Sequence, residues 1–100
     1  MIDRIDKQPF ILCVDDEPIN LVIYREILKD KYNIETVSNG LDCITITEQR
    51  RPDLILVDVN MPDMNGLETC YRLKANPETS DIPVIFVSAR ATDSELMEGY

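Results

Sequence analysis

Three acidic residues stand where short apolar segments of the sequence end. Asp15 and Asp16 follow the segment Phe10–Val14, and Asp58 follows Leu54–Val57. Apolar runs of this length suit strands buried on both faces of a parallel sheet. In such sheets, ligands bind outside the carboxyl ends of the strands, where the strand order reverses. If the strand order is 2-1-3-4, the ends of the first and third strands are neighbours, and the three carboxylates are predicted to converge on one small space.

Carboxylates that lie so close together repel one another unless a cation lies between them. All-oxygen ligands with room for water favour a hard divalent cation. Mg²⁺ fits best, because it keeps several waters and takes one or two carboxylates plus a substrate phosphate. A single acid after a strand is more often a helix cap, but a doublet and a third acid at neighbouring strand ends favour a metal site. The sequence thus predicts Mg²⁺ bound by Asp15, Asp16 and Asp58.

Alternating strand and helix patterns position these acids. Two further apolar runs, Ile34–Val37 and Ile82–Val87, are predicted strands. The first helix is inferred from apolar residues at the spacing typical of an amphipathic helix: Ile19, Val22, Ile23 and Ile27. Helix starts are predicted at residues common in turns, caps or first helical turns: Pro18, Asn39-Gly40, Asn65-Gly66 and Thr92. This alternation predicts an open, doubly wound α/β sheet with helices on both faces.

The composition excludes several classes of function. Asp and Glu outnumber Lys and Arg by 19 to 10, giving a net charge of −9, which argues against binding to nucleic acid or an anionic membrane. The sequence contains no histidine, so His-based triads, most catalytic zinc sites and a phosphohistidine carrier are excluded. Cys13, Cys43 and Cys70 are widely spaced and predict core or semi-buried thiols rather than disulfides or a metal knuckle.

The apolar runs are too short to cross a bilayer. Residues Met1 to Gln8 are polar and charged, without the apolar core of a secretory signal. We therefore expect a cytoplasmic location and no membrane association.

Three segments together resemble the receiver domain of two-component response regulators. They are Val14-Asp15-Asp16-Glu17, Asp58 followed by Met61-Pro62-Asp63-Met64-Asn65-Gly66, and Pro83-Val84-Ile85-Phe86-Val87-Ser88-Ala89. The resemblance covers residues 10 to 100. It implies a flavodoxin-like sheet with strand order 2-1-3-4, and a phosphoacceptor signalling switch rather than an enzyme that turns over a separate substrate.

The resemblance also assigns roles to individual residues. It implies that Asp58 is phosphorylated, that Asp16 and Asp58 bind Mg²⁺ directly and that Asp15 does so through water. The backbone carbonyl of Asn60 completes the protein ligands, and Ser88 is the switch hydroxyl. The implied partners are a histidine kinase or histidine phosphotransfer protein as donor, and an unidentified output domain.

The resemblance does not include the last elements of the family pattern. The sequence ends at Tyr100, inside the predicted fourth helix, so the family's fifth strand, its lysine and its fifth helix have no counterpart. Residues 1–100 are therefore predicted to be a C-terminally incomplete receiver. Lys74 lies late in the third helix and is expected to face solvent. A bare edge on the fourth strand predicts self-association through that strand.

Three other functions compete with this interpretation. The first is a receiver-like interaction module that is not phosphorylated. The second is an aspartate-nucleophile phosphohydrolase, which is disfavoured because Asn60 stands where that class has its second acid. The third is a calcium-binding loop starting at Asp58, which fails at Pro62, at Asp63 where glycine is needed, and at Thr69 where a bidentate Glu is needed.

Overall fold

The computed structural model describes residues 8–59, 61 and 66–87. The strands in this part of the chain are β1 (Phe10–Val14), β2 (Asn33–Val37), β3 (Leu54–Asp58) and β4 (Val84–Val87). The helices are α1 (Pro18–Leu28), α2 (Gly40–Arg50) and α3 (Gly66–Ala75). None of these described helices has the length and apolar character needed to span a membrane. The helix predicted near Thr92 lies outside the described residues.

The strands form one parallel sheet in the order β2-β1-β3-β4, which confirms the predicted topology. Val14 at the end of β1 pairs with Val37 of β2 on one side and with Val57 of β3 on the other. Asp58 then pairs with Val87 at the end of β4. The carboxyl ends of β1 and β3 are therefore direct neighbours, which is the arrangement that the acids require.

The side chains of the central strands alternate between two cores, as expected for a sheet covered on both faces. On one face, Ile11 and Cys13 are buried beneath α1 and pack with Ile34. On the other face, Leu12 and Val14 join a larger cluster that includes residues from α2, α3 and the segments around them. The buried members of that cluster are Leu12, Val14, Cys43, Ile55, Val57, Met61, Leu73 and Ile82.

The residues of α1 that face the sheet are not the apolar residues from which this helix was predicted. Those four apolar residues are 46% to 71% exposed: Ile19, Val22, Ile23 and Ile27. The side chains that pack against the sheet are Leu21, Tyr24 and Leu28, which also follow helical spacing. Because α1 carries apolar residues on two faces and the sheet covers one of them, periodicity predicted the helix without identifying its buried side.

The fourth strand begins at Val84, two residues later than predicted. Pro83 has no N–H to donate to a ladder, although its carbonyl accepts a hydrogen bond from the Ile55 N–H at 3.0 Å. Ile82 is instead a buried core residue in the preceding turn. Within the described sheet β4 is an edge strand, with Ile85 and Phe86 exposed. Self-association through this strand stays a prediction.

Two basic side chains hold the loop between α3 and β4. Lys74 donates from Nζ to the carbonyl oxygens of Ser80 at 2.9 Å and Ile82 at 2.7 Å. Arg51, at the end of α2, forms an ion pair with both carboxylate oxygens of Asp81. The hydrogen bond from Arg51 lowers the pKa of the Asp81 carboxyl. Lys74 is exposed, as expected, and its hydrogen bonds hold the backbone just before β4.

The cysteines are core or semi-buried free thiols, as predicted. Cys13 and Cys43 are fully buried free thiols on opposite faces of the sheet, and Cys70 is half-buried. Burial raises the pKa of both Cys13 and Cys43 to about 11. Such thiols stay protonated and unreactive, and they serve as small apolar core residues.

Candidate functional site

The three predicted acids meet at the carboxyl edge of the sheet. Asp15 follows the last residue of β1, Asp58 is the last residue of β3, and Asp16 is the next residue after Asp15. One carboxylate oxygen from each lies within 4.8 Å of those of the other two. Asp15 and Asp58 are 0% and 1% exposed, while Asp16 is half-buried. The structure therefore brings together the acids that sequence analysis selected.

The segment from β1 to α1 is short, which fixes the direction of Asp15. The Asp15 N–H donates to the Val37 carbonyl at 3.2 Å and extends the β1–β2 ladder by one bond. The Glu17 N–H then donates to Oδ1 of Asp15 at 2.9 Å. Pro18 begins α1 directly afterwards, since its missing N–H costs nothing at a first helical position. The carboxylate is thus held by backbone on one of its two oxygens.

Two side chains of α1 hold the other oxygen of Asp15. The Asn20 amide donates to Oδ2 at 3.2 Å, and the Tyr24 hydroxyl donates to the same atom at 3.4 Å. Neither Asn20 nor Tyr24 was predicted as a site residue from the sequence. The available signal was a pair of polar side chains four residues apart, and so on one helix face, in the helix that follows a strand-end acid.

Burial and charge act together on this carboxylate. Burial raises the pKa of Asp15, and the negative charges of Asp58 and Asp16 raise it further, while the Glu17 N–H and the Asn20 amide lower it. Burial and the charge of Asp15 raise the pKa of Tyr24 to about 12. Tyr24 therefore stays protonated at neutral pH and remains a hydrogen-bond donor. The surroundings of Asp15 therefore disfavour its ionised form.

Backbone hydrogen bonds hold Val59, directly after β3, and Gly66, at the start of α3. The Val59 N–H donates to the Val87 carbonyl at 3.2 Å, and the Gly66 N–H donates to the Val59 carbonyl at 3.2 Å. Met61 is buried in the larger core cluster. Two predicted site residues, Asn60 and Ser88, lie outside the described residues, as does the segment 62–65.

Gly66 leaves room for a close contact at the predicted helix start. It is the first residue of α3, and no glycine of the described part of the chain has a positive φ. A Cβ at this position would lie 2.5 Å from the Asp58 carbonyl oxygen and 2.9 Å from the Val59 Cα. Glycine therefore lets the start of α3 approach the backbone that carries Asp58.

The donor set fits a hard divalent cation. All three nearby ligand groups are carboxylates, which suit Mg²⁺ or Mn²⁺ better than a metal that prefers nitrogen or sulfur ligands. The raised pKa of Asp15 has the like charges of Asp58 and Asp16 among its causes, and a cation among the three would offset that repulsion. The arrangement can bind a metal beside a carboxylate that is itself a potential nucleophile.

The sequence profile of the response regulator receiver domain matches residues 11–100. The chain belongs to this family. Its curated relatives include a probable cyclic di-GMP phosphodiesterase of Vibrio cholerae, 36% identical over 94% of this chain, and histidine kinase P4 of Formosa agariphila, 33% identical over 99% of it. The chain spans 21% and 7% of the lengths of these two proteins, so in each the match is confined to a small part of a longer protein.

Solved structures agree with the receiver fold. The N-terminal domain of a response regulator receiver protein from Methanoculleus marisnigri JR1 matches with a TM-score of 0.80 and 35% identity, covering 92% of this chain and 76% of that one. The Mn²⁺-bound form of response regulator Rcp1 matches with a TM-score of 0.74 and 26% identity, covering 92% and 73%. The chain is therefore a flavodoxin-like receiver domain of the two-component type.

Proposed function

We propose that this receiver domain is a phosphoacceptor switch in which Asp58 receives a phosphoryl group. The observation that carries the proposal is the position of Asp58, buried at the end of β3 with two further carboxylates within 4.8 Å. A carboxylate in a metal-binding cluster is a competent acceptor, because a bound cation offsets the repulsion between it and an incoming phosphate.

In the transfer, a carboxylate oxygen of Asp58 attacks the phosphorus atom. The bond from phosphorus to the donor breaks, and the electron pair of that bond leaves with the donor group. With phosphohistidine the leaving group is the imidazole, and with a small acyl phosphate it is a carboxylate. In-line geometry and charge stabilisation supply most of the catalysis in such reactions, so the domain assists its own phosphorylation without being an enzyme for a separate substrate.

Mg²⁺ is the proposed cofactor, held by Asp16 and Asp58 directly, by Asp15 through water and by the backbone carbonyl of Asn60. The all-carboxylate cluster supports this assignment, as does the Mn²⁺-bound form of the similar regulator Rcp1. When bound, the cation neutralises phosphoryl oxygens and orients them for transfer. The protein's own part is to keep three carboxylates aimed at one point despite their mutual repulsion.

Ser88 is the proposed switch hydroxyl. Val87 pairs with Asp58 in the β3–β4 ladder, and Ser88 follows Val87 in the sequence, which supports a location near the acceptor. A phosphoryl group on Asp58 adds strong hydrogen-bond acceptors that a nearby hydroxyl can satisfy. A shift of the chain after β4 towards the phosphoryl group is the proposed signal.

The phosphoryl donor is proposed to be a histidine kinase or a histidine phosphotransfer protein. This sequence contains no histidine, so the donor imidazole must belong to another protein or to another domain. Receiver domains are found beside varied output domains, and a histidine kinase and a probable phosphodiesterase are among the relatives of this one. The output is therefore proposed to lie in an attached or associated domain.

Incubation with a small acyl phosphate and Mg²⁺, followed by intact-mass measurement, tests the proposal. We expect one phosphoryl adduct on the wild-type protein and none on Asp58→Asn, which keeps the size of the side chain and removes its nucleophile. Asp53→Asn is the matched control, since Asp53 caps the opposite end of the sheet by accepting from the Phe10 N–H. It should leave the adduct intact.

Two results would contradict the proposal. An adduct that persists in Asp58→Asn would move the acceptor to another residue. A wild-type protein that binds Mg²⁺ but never acquires an adduct would favour the interaction module that is not phosphorylated.

A further inference from the structure

The hydrogen bonds to Asp15 leave its two oxygens unequal. A carboxylate has about four lone-pair sites, two on each oxygen. Among residues 8–59, 61 and 66–87, Oδ2 accepts from both Asn20 and Tyr24, at 3.2 and 3.4 Å, whereas Oδ1 accepts from the Glu17 N–H alone, at 2.9 Å. Two protein donors therefore occupy Oδ2, and the lone pair that remains for other ligands is on Oδ1.

The geometry of α1 explains why these two donors reach one atom. Asn20 and Tyr24 are four residues apart, so their side chains lie on the same helix face. Long side chains on a helix point back towards its N-terminus, which is the end of α1 beside Asp15. Tyr24 starts about 6 Å further along the axis than Asn20, and the length of its phenol makes up that distance.

The packing of α1 keeps both donors in place. Tyr24 is part of the cluster formed by Ile11, Cys13 and Ile34, together with its helix neighbours Leu21 and Leu28. Asn20 is half-buried beside it. The core on the α1 face of the sheet thus fixes Tyr24 and the helix that carries Asn20.

We propose that Asn20 and Tyr24 are positioning residues that make the site selective for Mg²⁺ over Ca²⁺. With Oδ2 occupied, Asp15 offers a single acceptor site, which suits contact through a water molecule of a hydrated Mg²⁺ ion. Ca²⁺ takes six to eight oxygen ligands and often binds both oxygens of a carboxylate. Occupation of Oδ2 prevents Asp15 from binding Ca²⁺ in that way. This inference rests on the proposed metal site and adds the residues that determine its choice of ion.

The experiment compares the affinities of Mg²⁺ and Ca²⁺ in the wild-type protein and in the double variant Asn20→Ala, Tyr24→Phe. Each ion is titrated in competition with Mn²⁺, and the free Mn²⁺ is measured by electron paramagnetic resonance. Partners that orient a metal ligand typically change affinity about 10- to 100-fold when removed. We expect the ratio of Mg²⁺ to Ca²⁺ affinity to fall about tenfold, through weaker Mg²⁺ and unchanged or tighter Ca²⁺ binding.

Matched controls separate positioning from simple loss of structure. Tyr32→Phe removes a hydroxyl from a tyrosine that packs in the same cluster, and Asn33→Ala removes an amide that donates to the Gln8 carbonyl at the far end of the sheet. Neither should change the affinity ratio. Tyr24→Phe alone keeps the aromatic ring in the core and should lower the ratio by a smaller factor, even if the double variant folds poorly.

Two outcomes would overturn the inference. A double variant with the wild-type ratio of affinities, whether both ions bind equally well or equally less well, would show that Asn20 and Tyr24 serve structure alone. If instead Asp16→Ala leaves Mg²⁺ affinity unchanged, the metal site itself is wrong and the inference fails with it. The Asp16 variant thus distinguishes failure of the proposed site from failure of the selectivity mechanism.

Discussion

At the scale of single residues, the site depends on atoms that belong to the backbone as much as on the carboxylates. Asp15 is held by the Glu17 N–H, and Asp58 leaves its strand beneath the first residue of α3. The closest approach in this region is made possible by Gly66, whose missing side chain leaves room for the Asp58 carbonyl. Gly66 therefore links the position of Asp58 to the packing of α3.

Gly66→Ala should destabilise the domain and weaken Mg²⁺ binding. The added Cβ would meet backbone atoms of Asp58 and Val59, which cannot rotate away, so α3 or the end of β3 must shift. We expect a loss of about 1 to 3 kcal/mol in the free energy of unfolding, although alanine is a better helix former than glycine. Urea unfolding and Mg²⁺ titration measure the two effects.

Leu67→Ala is the control for this prediction, because Leu67 is the next residue of α3 and its side chain is 61% exposed. It should change stability by less than about 0.5 kcal/mol. If Gly66→Ala is as stable as the wild type and binds Mg²⁺ equally well, the close approach is not required.

At the scale of elements, α1 has two apolar faces with different environments. One face packs on the sheet through Leu21, Tyr24 and Leu28. The other carries Ile19, Val22, Ile23 and Ile27, all exposed in the described structure. Because the Asn20 and Tyr24 donors belong to this helix, its seating on the sheet also fixes the Asp15 carboxylate.

Adjacent substitutions in α1 should therefore have unequal effects. Ile27→Ala removes a side chain that is 71% exposed and should change the free energy of unfolding by less than about 0.5 kcal/mol. Leu28→Ala removes a partly buried contact with the core and should cost about 1 to 2 kcal/mol, below the range for fully buried leucines. Urea unfolding of both variants measures the difference. Equal losses would mean that both faces of α1 are packed.

At the scale of the whole molecule, the sheet concentrates negative charge at one edge of an already acidic chain. The raised pKa of Asp15 means that the folded state binds this proton more tightly than the unfolded chain does. The stabilisation that this bound proton provides is fully present below pH 3.8, the ordinary pKa of an aspartate. It is lost as the pH rises through the raised pKa of Asp15. At neutral pH the ionised Asp15 carboxylate therefore opposes folding when no cation lies beside it.

Mg²⁺ should raise the melting temperature of the domain at neutral pH. An ion that binds only the folded state at a concentration of 100 times its dissociation constant stabilises it by about 2.7 kcal/mol. Thermal unfolding followed by circular dichroism, with and without Mg²⁺, measures the shift. Asp16→Ala should lose most of it, whereas Glu26→Ala, which removes an exposed acid of α1, should keep it. The same shift in all three proteins would indicate non-specific screening.

Much of the fold and the acidic site could be predicted from the chain because the signals are local. Apolar runs define the strands, and an acid directly after a run must lie at the strand's carboxyl end, whatever packs around it. The parallel order then brings Asp15 and Asp58 together. Asn60 and Ser88 remain predictions, since their placement lies outside the described residues.

Other features depend on packing between distant segments, and only the tertiary structure shows them. Periodicity alone could not choose between the two apolar faces of α1, because that choice depends on how the helix sits on Ile11, Cys13 and Ile34. The role of Gly66 depends on how closely α3 approaches the end of β3. The hydrogen bonds from Asn20 and Tyr24 depend on both the strand end and the helix orientation, since they join side chains that no sequence pattern pairs.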